Sequence, residues 1–197
     1  MENFLIILDG AAGLPHKKLG GKTAFQAAKT PNLDYLTKNA RMGYMYPIDE
    51  KTTPGSDNAV IAILGNNPKN VKRGVYEALG IGFKLRKGDL ALRTNFATIQ
   101  NIKTKKVIDR RAGRTLTSKE AKQLAKTINK KIKLKCRFIY KSGVQHRGAL
   151  VLRGNYSQNI TNTDPEWSVG RENNFKYSKP LDKTKKSKET AKIINEF

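Results

Sequence analysis

The chain has 197 residues, enough for one substantial domain or two small ones, and 38% are hydrophobic, which suits a protein with a core. Its one cysteine, Cys136, excludes an internal disulfide framework, and two histidines, His16 and His146, are too few for a His-rich metal cage. The formal net charge of +23 attracts polyanions or a small phosphorylated substrate, and no apolar run approaches the ~18 residues of a spanning helix, so no membrane partner is expected.

The start, MENFLIILDG, has no basic leader region or small-residue cleavage site, so it does not read as a signal peptide. With the single cysteine this predicts a cytoplasmic setting. Residues 4–8 are an unbroken apolar run ending in Asp9-Gly10. The run predicts a buried parallel strand that delivers Asp9 to its carboxyl end, where open α/β sheets bind ligands. Thr30-Pro31 predicts a helix to about Asn39, with threonine at the cap and proline at the first helical position. Pro54-Gly55 marks a turn before a second helix from Ser56, and residues 75–78 predict a short third. Strand, turn and helix alternate here, which argues α/β.

The character changes near residues 80–82. Leu90, Leu92, Asn95-Phe96 and Ile99 alternate loosely with polar residues, and residues 106–109 follow a basic turn, as in a hairpin. Thr117 and Glu120 have capping-box spacing, and Ala121, Leu124, Ala125 and Ile128 then recur at helical spacing. Residues 136–140 and 148–153 predict two strands. After Trp167 the chain is polar to Lys188, and residues 189–197 predict a helix with Ala191, Ile194 and Phe197 on one face. The expected organisation is 1–83, a separate α+β unit over 84–174, and a return segment over 175–197.

The stretch TTPGSDNAVIAILG, residues 52–65, allows two readings of Ser56. It can cap a buried helix over the apolar run 59–64. It can also be a nucleophile at a helix N-terminus, where the dipole and free N–H groups favour a negative oxygen or a phosphate. Elsewhere arginines gather: Arg93 in the otherwise apolar LALRTNF, and Arg110, Arg111 and Arg114 beside Asp109 in DRRAGR. His146-Arg147 lies in a turn before a strand, and Lys22 lies in GGKT. The planar guanidinium pairs with carboxylate and phosphate alike. The lysines between 119 and 135 read as a solvated helix face.

Seven stretches in fixed order carry a family resemblance: LIILDG (5–10), LGGKTAFQAAKTPNLDYL (19–36), PGSDNAVIAILG (54–65), RGVYEALGIGF (73–83), GDLALRTNFATI (88–99), DRRAGR (109–114) and GVQHRGALVLRG (143–154). Together they resemble the archaeal-type cofactor-independent phosphoglycerate mutases, a branch of the alkaline phosphatase superfamily. The resemblance implies an α/β fold: a partial alkaline-phosphatase-like parallel-sheet core carrying an inserted α+β substrate-cleft domain. It implies interconversion of 3-phosphoglycerate and 2-phosphoglycerate in glycolysis and gluconeogenesis, through a phosphoserine and with two divalent metal ions (manganese, magnesium or zinc). Asp9 matches the family's metal-binding aspartate, and Ser56 its nucleophile and metal ligand. Arg93, Asp109, Arg114, His146 and Arg147 are thereby expected near the substrate, with Lys22 as a further phosphate contact.

The family's remaining metal ligands are aspartates and histidines in later loops of its C-terminal half, which His16 and His146 cannot replace. The resemblance thus implies a chain inactive alone, which is either one part of a split enzyme whose second chain carries the missing ligands, an association that an exposed half-sheet edge favours, or a truncated gene product. Smaller departures are Glu166 and Trp167 where the family has a histidine after Asp-Pro, Asn66-Asn67 for Tyr-Asp, and Lys72-Arg73-Gly74 for Gly-Arg-Gly. The alternative is a non-catalytic degenerate paralogue that binds anions or a nucleic acid. The charge favours it, but no aromatic-basic RNA-binding signature accompanies the charge.

Overall fold

Helix starts are the strongest local signals in this sequence, and they recur in the computed structural model, which describes residues 2–11, 13–165 and 174–197. The described residues form a mixed α/β protein with six α-helices and two small antiparallel sheets. They group into two units, Met1–Val71 and Lys72–Phe197.

In the first unit Thr23 and Gln26 make a reciprocal capping box that starts α1 (Ala24–Ala27). Pro31 opens α2 (Pro31–Lys38), as expected, but Thr30 bonds the Asp34 carboxylate at 2.9 Å instead of a backbone N–H. The third helix, α3 (Ser56–Ile63), has Gly55 at its N-cap and no side-chain cap. Its apolar residues are half-buried, not buried as expected. No described residue of this unit is fully buried.

Residues 4–8 correct the sequence reading. They are not a strand, and Phe4 and Ile6 are 82% and 79% exposed. A strand exists only by pairing, and no described segment pairs with this run. The expected parallel sheet is therefore absent from the described residues.

The second unit builds its core around a sheet. In chain order it contains α4 (Arg73–Gly80), β1 (Leu90–Asn95), β2 (Thr98–Ile99), β3 (Val107–Asp109), α5 (Ser118–Lys131), β4 (Arg137–Ser142), β5 (Arg147–Arg153) and α6 (Lys185–Glu196). The main sheet runs β1-β5-β4, antiparallel throughout. Its register sets Leu92 and Tyr140 beside Leu150, and Arg93 and Lys141 beside Ala149. Period-two alternation then sorts the faces. Leu90, Tyr140, Leu150 and Leu152 pack with Ala125 of α5 and Ile193 of α6. On the other face Ala149 and Val151 pack with Ala78 of α4 and Phe83.

Two details fix these helices on the sheet. A Cβ at Gly74 would stand 2.1 Å from the Ala91 carbonyl oxygen, so only glycine lets α4 approach β1 this closely. On the other side the Asn129 amide of α5 donates to the Tyr140 carbonyl at 2.8 Å and accepts from its N–H at 2.9 Å. That pairing closes part of the open edge of β4.

The α5 capping box forms as the spacing predicts, with Thr117 and Glu120 bonding reciprocally. The expected hairpin forms only in part. Thr98 and Ile99 pair with β3, while residues 90–95 pair with β5, far along the chain. The units divide at residues 71 and 72, whereas sequence character changes near 80–82. The reason is packing: α4 and α6 both lie on the second unit's sheet.

Candidate active site

The predicted site residues fall into two groups, one in each unit. In the first, Asp9 follows the apolar run, and Gly10 at φ +72° turns the chain immediately after it. Ser56 is the first residue of α3, with Gly55 taking the cap position. Its hydroxyl donates to Asp9 Oδ2 at 2.7 Å across 47 residues of sequence. The capping reading of Ser56 is thereby corrected: its oxygen serves Asp9, not the helix backbone. Both residues are exposed.

A carboxylate and a hydroxyl are the hard oxygen donors that magnesium, manganese or zinc accept. The pair fits such an ion in kind and would offer it two oxygen donors. No cluster of three or more His, Cys, Asp or Glu side chains occurs among the described residues. Lys22 shares this unit, but its backbone bridges to His16 and no hydrogen bond joins its ammonium to Asp9 or Ser56.

In the second unit the sheet register places Arg93 and Arg147 on one face, opposite Ala149 and Asn95 respectively. Arg93 Nε donates to the Glu77 carboxylate of α4 at 3.2 Å. Burial pushes the Arg93 pKa down, and the nearby Arg73 and Arg147 charges add to that, while Glu77 opposes it.

His146 sits in the turn between β4 and β5, only 7% exposed, with a buried Nδ1 that has no hydrogen-bond partner. Burial lowers its pKa, reinforced by Arg147, Arg111, Arg93 and Arg114. The imidazole is therefore held neutral among four cations, and an anion would relieve their mutual repulsion.

Asp109 accepts the Arg111 N–H at 2.6 Å. That bond first, then the Gly113 N–H and the Arg111 and Arg114 charges, hold its carboxyl below the usual range. Ala112, Gly113 and Arg114 all have positive φ, a left-handed turn that L-residues rarely sustain in succession. Arg110, in the same motif, is bound to Asp164.

The structure thus brings Asp9 and Ser56 together and, in the second unit, sets Arg93, Arg114 and Arg147 near His146, with Asp109 beside Arg111 and Arg114. It joins Lys22 to neither group. Sequence reasoning passed over Glu77 and underweighted Arg73 and Arg111. The i,i+4 spacing of Arg73 and Glu77 around Gly74 was the available signal. Glu166 and Trp167, the departure after Asp-Pro, lie outside the described residues.

Comparison with known proteins gives a consistent result. The family profile described as 2,3-bisphosphoglycerate-independent phosphoglycerate mutase matches residues 37–197. Proteins of that name from Pyrobaculum islandicum and Methanopyrus kandleri are each 42% identical, over 98% of this chain and 47% and 46% of theirs. A solved structure, the cofactor-independent phosphoglycerate mutase from Thermoplasma acidophilum, superposes with a TM-score of 0.53 at 37% identity, covering 96% of this chain and 48% of that one. The chain spans about half the length of the curated relatives it matches.

Proposed function

The chain belongs to the 2,3-bisphosphoglycerate-independent phosphoglycerate mutase family, and from that premise we propose that, joined to the other half of the fold, it interconverts 3-phosphoglycerate and 2-phosphoglycerate. The observation that carries this reading is the 2.7 Å bond from Ser56 to Asp9. A serine hydroxyl is a weak nucleophile until its proton has somewhere to go. Here the Asp9 carboxylate fixes the O–H direction, and the α3 N-terminus favours negative charge developing on the oxygen.

In this reading Ser56 Oγ attacks the phosphorus of 3-phosphoglycerate, and the bond from phosphorus to the C3 oxygen breaks. The 2-hydroxyl of the retained glycerate then attacks the phosphoserine, releasing 2-phosphoglycerate and restoring Ser56. Asp9 and Ser56 would hold one of two divalent ions (manganese, magnesium or zinc), which when bound lower the hydroxyl pKa and polarise the phosphoryl oxygens. Arg93, Arg114 and Arg147 bind the substrate's carboxylate and phosphate. His146 stays neutral and can donate a hydrogen bond without adding charge. Asp109 orients the turn that carries Arg114, and Lys22 is a weaker phosphate contact.

The first unit is read as the start of an alkaline-phosphatase-like core, and the sheet of the second as the inserted α+β domain. A cytoplasmic setting follows from a phosphorylated metabolite as substrate. No helix among the described residues is long and apolar enough to cross a membrane.

An enolase-coupled assay with manganese or magnesium tests the reaction, using the chain alone and with the uncovered half of a relative. Activity in the mixture that Ser56→Ala abolishes is the expected result. A demonstrable complex without activity overturns the mutase reading in favour of a non-catalytic anion binder.

A further inference from the structure

Between residues 119 and 137 stand seven lysines and Arg137 against a single acid, Glu120. On α5, Lys119, Lys122, Lys126 and Lys130 recur at helical spacing, within about 80° of one another around the axis and along about 16 Å of it. All four are exposed, on the side of the helix opposite the buried Ala121 and Ala125. None of the four forms an ion pair among the described residues. No acid stands three or four residues from any of them, and Glu120 is occupied by the N–H and hydroxyl of Thr117. Lysines four apart on a helix repel, so the line Lys122–Lys126–Lys130 weakens α5 instead of supporting it. Helix α6 differs, because its Lys192 has Glu196 four residues on, at 4.0 Å.

We propose that this lysine line is a docking surface for the phosphate backbone of double-stranded nucleic acid, a function separate from the mutase reaction. A row of cations about one helical turn apart complements a linear polyanion, and the counterions released from that polyanion favour the complex. Lysine is a point charge without the bidentate fork of arginine, so the row suits backbone contact and not the grip on one phosphoryl group or one base. Single strands are held by stacking on aromatic rings, and α5 carries none. An anionic membrane takes up a helix through its apolar face, but here Ala125 and Ile128 are packed on the sheet. The arginines assigned to substrate lie elsewhere. Arg93 alternates onto the sheet face of Ala149 and Val151, while α5 packs on the face of Leu150 and Leu152. The surface therefore stands whether or not the mutase reading holds.

Fluorescence anisotropy of the full chain with mixed-sequence duplexes of DNA and RNA, at about 50 to 200 mM salt, tests the surface. Sequence-independent binding that weakens steeply with salt is expected. Lys122→Gln, Lys126→Gln and Lys130→Gln together should lower affinity at least about tenfold and make the slope of log K against log salt shallower by about 2–3. The free triple variant should melt no lower than the parent chain, because the i,i+4 repulsion is gone. Lys17→Gln, Lys18→Gln and Lys38→Gln together remove the same charge from the first unit, and should change affinity less than about threefold. An equal loss in both triple variants overturns the proposal, since net charge alone would then account for binding. It is also overturned by no duplex binding at about 50 mM salt, or by binding only to single strands, anionic vesicles or an acidic peptide. Displacement of the duplex by 3-phosphoglycerate at matched ionic strength overturns it too, by moving the contact to the arginine cluster.

Discussion

The two units use their apolar residues in opposite ways. In the second, Leu150, Val151 and Leu152 of one central strand are almost wholly buried, with α4 against one face of the sheet and α5 and α6 against the other. In the first, an equally apolar run at residues 4–8 lies open, and no described residue is fully buried. Hydrophobic content alone therefore does not make a core. The central strand of the second unit finds neighbours on both edges and cover on both faces, while residues 4–8 find no partner strand among the described residues. The sites follow the same division. Arg93 and Arg147 are held by a packed sheet, whereas the Ser56–Asp9 pair rests on a turn and a helix end.

The largest expected effect tests this contrast directly. Leu152→Ala should cost about 2–5 kcal/mol in urea unfolding, because it leaves a cavity under α5 and α6. Ile6→Ala, removing a side chain of similar size from the first unit, should change the free chain's stability by less than about 0.5 kcal/mol. Equal costs would mean that the first unit has a core of its own.

Gly74→Ala comes next. The added methyl meets the Ala91 carbonyl at 2.1 Å, so α4 must move off the sheet at a cost of about 1–3 kcal/mol. Thermal unfolding reads the loss. Chemical-shift changes at Glu77 and Arg93 should accompany it, since α4 carries the carboxylate that holds Arg93.

Thr117→Ala removes the α5 capping box and should cost about 1 kcal/mol in the same assay. The equivalent change at Thr23 caps a helix of four residues with no buried face, and it should move the main transition less.

The smallest effect depends on pH. His146 has its pKa lowered from 6.5 by burial and then by Arg147, Arg111, Arg93 and Arg114. The unfolded chain therefore binds this proton more readily than the folded one. The neutral imidazole's contribution is present above the unfolded pKa and is lost as pH falls below it. Stability of the second unit should decline from about pH 7.5 to pH 5.5, and His146→Gln should flatten that slope. An unchanged slope would place His146 in solvent.

Features that depend on a few neighbouring residues were legible from the sequence. The α5 capping box, the proline start of α2 and the strands β4 and β5 all follow from local spacing and side-chain type. So did the gathering of Arg111 and Arg114 around Asp109, because one turn supplies all three. Asp9 and Ser56 were legible separately, each from its place beside an apolar run. Their hydrogen bond was not, since 47 residues separate them.

Tertiary structure decided the rest. An apolar run reads alike whether it becomes the buried β5 or the open segment 4–8; only the presence of partner strands separates the two outcomes. The sheet order β1-β5-β4 chose which residues Arg93 faces, and the fit of Gly74 against Ala91 chose that Glu77 would pair with it. Burial of His146 arose in the same way, from packing around a turn whose own sequence looks polar. Local propensity is a property of neighbouring residues, whereas pairing, burial and pKa are set by atoms brought together from distant parts of the chain.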